Sequence, residues 1–436
     1  MAYELPSTYE LKTLELITHE NKIISLAQVY LSIKVVEDIY SNFVHGSITI
    51  EDANDLHQNA PIIGEELIRL VYSTDKNSPV IERLFRVFRL ETSDDDSRER
   101  LSHTMHFTSV EAFDNANTTI SKSYKNKSLS FIVSDAYKSL NTKKKLDISN
   151  FSGMYHIISP NWNPFQLINY VTSIAQPKQY SNSLALFYED ATGFKVTNIQ
   201  DLLSKESLGK WTSTNTELNL NREDSKDELY PSNNIISYRI LKNSTDTLKA
   251  MHEGLYSNAV IAYDNLSKSV KTYVYDYKKN FKDSVHLSGY RLNSDNFQYN
   301  SPNQRITVIP TTTFRYDSSY FKNKVGAVNV SERRELIIPS RTSLLSQISA
   351  KQIELEVVGN SSLVAGSVID IELVNNTALD SMKNKRHRYN AKKVLITRVV
   401  NIFTKKQHKM KLIVADDSYP DELTATYEFK EIAGNA

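Results

Sequence analysis

From Ala27 to Val35 the odd positions are Ala27, Val29, Leu31, Ile33 and Val35, with Gln28, Tyr30, Ser32 and Lys34 between them. A period of two is that of a strand with one buried face, because successive side chains point to opposite sides. Ser47–Asp52 alternates again after Gly46, which reads as a turn. Glu65–Tyr72 follows Pro61-Ile62-Ile63-Gly64 as a third run rich in Leu, Ile and Val. Leu84–Leu90 and His103–Ser109 add two more strands. Strand, glycine turn, strand, polar loop and glycine again is the pattern of an antiparallel barrel or sandwich. Residues 1–22 show no such pattern and read as a poorly packed leading segment.

The period then changes. Leu129, Ile132, Val133, Ala136, Tyr137 and Leu140 fall at helical spacing, so Ser128–Leu140 is an amphipathic helix. Lys143-Lys144-Lys145 follows it, where cations suit a helix C-terminus. Asn163 before Pro164 is a helix start, since proline's missing N–H costs nothing at the first position. Phe165, Ile168, Val171 and Ala175 mark one face of that helix. Ser183–Asp190, a turn at Gly193 and Phe194–Val196 read as a hairpin. Ser204–Leu229 is polar, with Leu208, Trp211, Leu218 and Leu220 as its large apolar groups, and reads as an excursion or interface loop. Ser244 caps a helix running to Glu253, which Gly254 ends.

Strands follow at Val260–Asp264 and Val270–Tyr277. Lys278–Pro339, rich in Asn, Ser and Tyr, shows short strands at Arg305–Ile309 and Thr313–Tyr316. Leu344, Leu345 and Ile348 suggest a short helix. Ile353–Val357, Val368–Leu373, Val394–Val400 and Lys409–Val414 form a closing β module. Ile63-Gly64 and Ala365-Gly366 both precede strands, a sign that the two chain ends carry similar modules.

The 436 residues leave room for two to four domains of roughly 100–200 residues each. Tyr (25) and Phe (16) carry the aromatic content against 2 Trp, a bias suited to β structure and interfaces. A net charge of +1 gives no reason to expect a polyanion partner. With no cysteine, disulfides, cysteine zinc sites and thiol catalysis are excluded. The N-terminus lacks a basic start with an apolar core, and no window approaches the ~18 apolar residues of a membrane span. No signal peptide and no membrane insertion are expected.

Candidate chemistry is sparse. Asp94-Asp95-Asp96 lacks the spaced oxygen ligands of a calcium loop and reads as a solvated hairpin tip. His103 and His106, three apart on a strand, face opposite ways and have no third ligand. Lys383, Lys385, Arg386, Arg388, Lys392 and Lys393 make a basic stretch, but only Tyr389 offers a stacking surface for a base. It reads as an exposed or partner-facing loop rather than a nucleic-acid site. Phosphate-loop, dinucleotide, zinc-protease and serine-hydrolase motifs are missing. No catalytic, cofactor-binding or metal-binding residue is assigned, and the chain reads as non-enzymatic.

Four ordered blocks carry a resemblance. Phe43-Val-His-Gly46-Ser-Ile-Thr-Ile-Glu-Asp52 with Ile63-Gly64-Glu-Glu66 resembles the first tube-like barrel of baseplate hub proteins from contractile-tail bacteriophages. Pro160-Asn-Trp-Asn-Pro-Phe165, Leu186-Phe-Tyr-Glu189 and Thr192-Gly-Phe194 resemble the hub's middle domain, as do His252-Glu-Gly-Leu-Tyr256 and Tyr263-Asp264. Val358-Gly-Asn360 and Ala365-Gly366 before a strand resemble its second barrel. The resemblance implies an α+β, mainly β chain: two small antiparallel barrels at the ends (1–112 and 336–436) and an inserted α/β domain (113–335).

It further implies a homotrimeric ring with six quasi-equivalent barrel positions, adapting a sixfold tail tube to a trimeric central spike. Surrounding baseplate wedge proteins and a tape measure protein would be partners, and DNA would be present only in transit. The spike would be a separate protein, because the chain stops shortly after its last readable strand. The place would be the virion tail, with assembly in the host cytoplasm. Two rival readings are a virion-associated cell-wall-degrading enzyme and a glycan-binding tail protein.

Overall fold

A computed structural model describes residues 9–52, 62–74, 80–95, 100–213, 233–242, 246–265, 268–294, 297, 305–311, 334–374 and 386–422. The alternating runs near the N-terminus form seven strands: β1 (Glu10–Ile17), β2 (Ile23–Ser25), β3 (Tyr30–Asp38), β4 (His45–Asp52), β5 (Leu67–Ser73), β6 (Ile81–Asp95) and β7 (Arg100–Ser109). Their order is β2-β1-β5-β6-β7-β4-β3, antiparallel throughout. Leu14, Leu16, Ile33, Val35, Ile48, Ile50, Ile68, Leu70, Phe85, Val87, Met105 and Phe107 fill one core. The leading segment is therefore no loose end: β1 contributes Leu14 and Leu16 to it.

A β-bulge lies between Tyr30 and Ser32, and the extra residue reverses which parity faces inward. Tyr30 is buried while Leu31 is exposed, against the simple odd-position rule. Gly46 is not a turn. It sits within β4, where a Cβ would lie 2.1 Å from the Lys34 carbonyl oxygen and 2.8 Å from the Phe107 ring, so only glycine lets the strands close over that aromatic.

The middle of the chain continues through α1 (Val110–Asn117), β8 (Ile120–Ser128), α2 (Leu129–Lys138), β9 (Leu146–Ile148), β10 (Phe151–Ser152), β11 (Met154–Trp162), α3 (Pro164–Ser173), β12 (Gln176–Pro177), β13 (Ala185–Asp190), β14 (Gly193–Asn198) and α4 (Ile199–Leu203). Both expected helices form. Ser128 Oγ accepts from Phe131 N at 3.3 Å. At α3, Gln166 Oε1 accepts from Asn163 N at 3.1 Å, while Asn115 Oδ1, reaching over from the end of α1, accepts from Phe165 N at 2.7 Å. Their apolar faces pack on the β8–β11 pair and the β13–β14–β9 sheet around Phe165, Phe187 and Phe194.

Ser207–Ser213 (β15) is a strand with Trp211 buried in a core, not a surface excursion. The rest of the expected loop, 214–229, lies outside the described residues. Asn234–Lys242 (β16) follows, then an insertion of α5 (Thr247–Glu253), β17 (Ser257–Asp264), β18 (Ser269–Asp276), α6 (Tyr277–Asn280) and β19 (Ile306–Thr311). The cap of α5 is Asp246, accepting from Lys249 N at 3.0 Å, and Gly254 ends it at φ +81° as expected. Ser244 and Thr313–Tyr316 lie outside the described residues.

The short helix expected near Leu344 is α7 (Arg334–Ala350), with Pro339 inside it. Proline removes one helical donor and reads as a stop. Burial of Ile337, Leu344 and Ile348 and a 3.1 Å bond from Asn258 Nδ2 to the Pro339 carbonyl hold the helix through it.

Four strands end the described chain: β20 (Lys351–Val358), β21 (Val368–Val374), β22 (Arg386–Thr404) and β23 (His408–Asp416). With β15 and β16 they close a barrel in the order β21-β15-β16-β20-β23-β22 and back to β21. Two of its strands thus come from the stretch assigned by sequence to the middle domain. It is not wholly antiparallel, since β15 runs parallel to both neighbours.

The two modules share one strand order but differ in the direction of one strand, since β1 runs antiparallel to β5 while β15 runs parallel to β21. In each, a meander (β5-β6-β7; β21-β22-β23) returns its last strand to an antiparallel pair (β4-β3; β20-β16), and the remaining strand (β1; β15) borders the first of the meander. The irregularities coincide too. Bulges fall at Tyr30/Ser32 and Ile235/Ser237, and again at Val87/Arg89 and Ile396/Arg398. Val87 N donates to Glu66 O at 2.9 Å, and Ile396 N to Ser367 O at 2.8 Å. Gly64 (φ +92°) and Gly366 (φ +82°) make the matching left-handed steps into β5 and β21, where glycine carries no steric penalty. The internal repeat suggested by those two glycines is present.

Candidate assembly site

The modules meet along a strand pair. Ser32–Asp38 of β3 runs antiparallel to Arg398–Thr404 of β22. Arg398 Nε and Nη2 donate to Asp38 Oδ2 at 2.7 and 2.6 Å. Tyr9 O–H donates to the Thr404 carbonyl at 2.8 Å and accepts from Tyr30 O–H at 2.7 Å. Phe403 crosses from the second module into the first core, its ring centroid 4.7 Å from that of Tyr72 and 4.2 Å from that of His408, stacked. His408 is buried, and burial pushes its imidazole down to about 3. Neutral, it donates from Nε2 to Asn401 Oδ1 at 2.9 Å. Gly359 makes room for it, because a Cβ there would stand 2.1 Å from His408 Nδ1.

Charged groups lock the same junction. Arg83 of β6 pairs with Glu37 of β3, both buried, and Glu37 Oε2 accepts from Ala365 N at 3.3 Å, just before the Gly366 step. Burial pushes the Glu37 carboxyl up, which Arg83 opposes. The middle domain is tied in through Glu189, whose Oε2 accepts from Val44 N at 2.9 Å and Ser109 Oγ at 2.5 Å. Lys144 Nζ bridges Glu189 Oε1 at 2.6 Å and Glu111 Oε2 at 2.7 Å. A cavity of about 110 Å³ beside these groups is lined by Arg83, Lys144, Glu189 and Asp190. Each of these charges has a partner, Arg83 in Glu37, Lys144 in Glu189 and Asp190 in Lys195, as in a structural network.

The residues singled out from sequence are dispersed. Asp94 and Asp95 end β6, opposite Leu101 and Arg100 of β7, and Asp96 lies outside the described residues. His103 is buried, 3.1 Å from Thr92 Oγ1, whereas His106 faces outward, 3.3 Å from Glu91. Of the basic stretch, Lys383 and Lys385 lie outside the described residues. Arg386 and Arg388 belong to β22, and Lys392 is buried against Asp416 in an ion pair. The expected loop is largely strand, and Lys392 is not available to a nucleic acid. Among the described residues no group of three or more His, Asp or Glu is placed to hold a metal ion, and no helix is long and apolar enough to cross a membrane.

What sequence reasoning missed are two strand edges that no described strand pairs. β16 meets β15 only at Asn234 and Ile235. Beyond them Ile236, Ile240 and Leu241 are 39, 50 and 36% exposed. β6 outruns β5, their pairing ending at Arg86–Leu67, and Phe88 just beyond is 52% exposed. Exposed apolar strand edges are pairing surfaces unless something covers them.

No protein-family model matches the chain, and no curated protein matches it. Solved structures do. A tail protein from Neisseria meningitidis MC58 aligns over 94% of this chain and 97% of its own, at TM-score 0.54 and 8% identity. The 43 kDa tail protein of prophage MuSo2 from Shewanella oneidensis aligns over 94% and 100%, at TM-score 0.55 and 11% identity. At such identities the likeness is one of fold. This mainly β fold, with one closed six-strand barrel among the described residues, is similar to that of those two tail proteins.

Proposed function

We propose that this chain is a structural protein of a phage-type tail baseplate, the central hub. Three copies form a ring around a channel, with the tail tube on one face and a trimeric spike on the other. The observation that carries this is the internal repeat. A chain holding two modules of one plan, joined by a strand pair, presents a contact that a ring can repeat. Three such chains offer six similar positions with true threefold symmetry, the arrangement needed between a sixfold tube and a threefold spike. The fold shared with two tail proteins supports the same reading. Shape and pairing edges suffice for such a role, and the buried charges serve cohesion. DNA and a tape measure protein would pass the channel, and wedge proteins would bind outside.

Native mass spectrometry of the purified chain tests this. Three copies per particle is the expected result. A stable monomer or dimer across micromolar concentrations would overturn it.

A further inference from the structure

The stretch that follows α6 is fastened to the chain leaving β23, and a histidine sits at the fastening. His286 Nε2 lies 3.0 Å from the Phe281 carbonyl oxygen, and Nδ1 lies 2.6 Å from Asp417 Oδ2. Both neighbours are acceptors. A carbonyl only accepts, so Nε2 carries a proton, and a neutral imidazole would then set a bare Nδ1 against the carboxylate. Two lone pairs at that distance repel, whereas a second proton between them makes a short charge-assisted bond. The other carboxylate oxygen is engaged as well: Asp417 Oδ1 accepts from Leu287 N at 3.1 Å and from Ser418 Oγ at 2.9 Å. Those bonds favour the ionised carboxylate, with the shared proton on the ring.

The pair is closed to solvent. The His286 and Asp417 side chains are 6 and 1% exposed, and the imidazole stacks on Phe281 with ring centroids 3.8 Å apart. Further bonds run alongside. Ser288 N donates to Ser418 Oγ at 2.8 Å, and Tyr290 and Tyr419 exchange N–H···O bonds of 3.0 and 2.7 Å. Leu287 packs with Ala415 and Ile348, while Tyr419 packs with Tyr277 and Leu292. The fastening therefore lies on the seam between the insertion and the second module. Asp417's charge reaches Asp416 beside it, Lys351 of β20 and Tyr277 of α6. Asp416 has its own cation, Lys392 of β22. On the histidine's own segment the nearest charges in sequence are the exposed Lys282 and Asp283.

We propose that His286 and Asp417 form a proton-held latch. While the pair shares the extra proton it fixes residues 284–292 of the insertion to the end of β23, and loss of that proton as pH rises releases them. The sign follows from linkage. Above about pH 6.5 a free histidine is neutral, so the latched state binds one proton more than the released one. Latching then weakens by up to about tenfold per pH unit.

Two measurements on the wild-type chain, followed together from about pH 6 to 9, test this: nitrogen-15 NMR of labelled histidine, with H286Q to assign the signal, and hydrogen exchange of residues 284–292, corrected for the intrinsic rate. At the acid end both ring nitrogens of His286 should carry protons. As one is lost, protection of the segment should fall while that of β20 and β23 holds. D417N should stay latched throughout, because its amide donates to the bare Nδ1 and its carbonyl still accepts from Leu287 N. K351M should leave the wild-type fall in place, which separates the latch from the neighbouring lysine. A singly protonated ring at the acid end, protection that does not follow the ring's deprotonation, or the same fall in D417N would overturn the latch. The wild-type measurements decide the matter even if D417N fails to fold.

Discussion

Arg398 sits one residue past the bulge of β22 and donates to Asp38 of β3 at 2.7 Å, binding the second module to the first. Asp38 is buried and Arg398 about half exposed. Removing the guanidinium leaves a buried carboxylate with the Tyr40 amide at 2.9 Å as its remaining partner among these contacts. R398A is expected to lower stability by about 1–3 kcal/mol, read as a lower urea midpoint at unchanged slope. An unchanged midpoint would show that the strand pair holds without the charges.

Gly359 and His408 form a second coupled pair. An alanine methyl at 359 would collide with the imidazole, and overpacking of this kind costs about 1–3 kcal/mol. G359A should destabilise the wild type strongly but far less in an H408A background. A double-mutant cycle measures this coupling, and simple additivity would refute the steric account.

His408 also gives the chain an acid limit. The unfolded imidazole takes its proton near pH 6.5, while the folded one resists until about 3. Between these values the unfolded state holds the extra proton, so stability falls as pH drops from about 6.5 towards 3. Lys351 acts at the other end. Burial pushes it down to about 7, with Lys392 adding to the shift and Asp416 opposing it. From about 7 to 10.5 the unfolded state again holds the extra proton, so this group makes stability rise with pH over that window. Thermal melts of H408Q should fall less steeply than wild type between pH 6.5 and 4, and those of K351M should rise less between 7 and 9.

Much of this was legible in the sequence, and the exceptions share a cause. The runs at Leu84–Leu90 and Ile353–Val357 and the helices after Ser128 and Asn163 announced themselves, because their periods are local. Trp211 was misread because β15 buries one large side chain among polar neighbours, and its partners β21 and β16 are remote or separated by a polar stretch. Tyr30 and Leu31 exchanged places because a bulge is invisible to a fixed period. The edges of β6 and β16 that no described strand pairs were not legible at all, because an edge is set by topology and not by local period.

Glu189 is the peg between the middle domain and the first module. E189A strands the Val44 amide and uncouples Lys144, a loss of about 2–4 kcal/mol. E189Q keeps one carbonyl acceptor and should cost less. Limited proteolysis of the two variants checks the location of the damage, with new cleavage expected between residues 110 and 200 in E189A. Equal resistance in both would place the coupling elsewhere.

The central claim, that two modules of one plan per chain build a threefold ring, is met most directly by negative-stain class averages of the purified chain at high concentration. The account predicts rings of threefold symmetry with six inner lobes around an open channel. Single globular particles, or rings whose lobes do not number six, would contradict it.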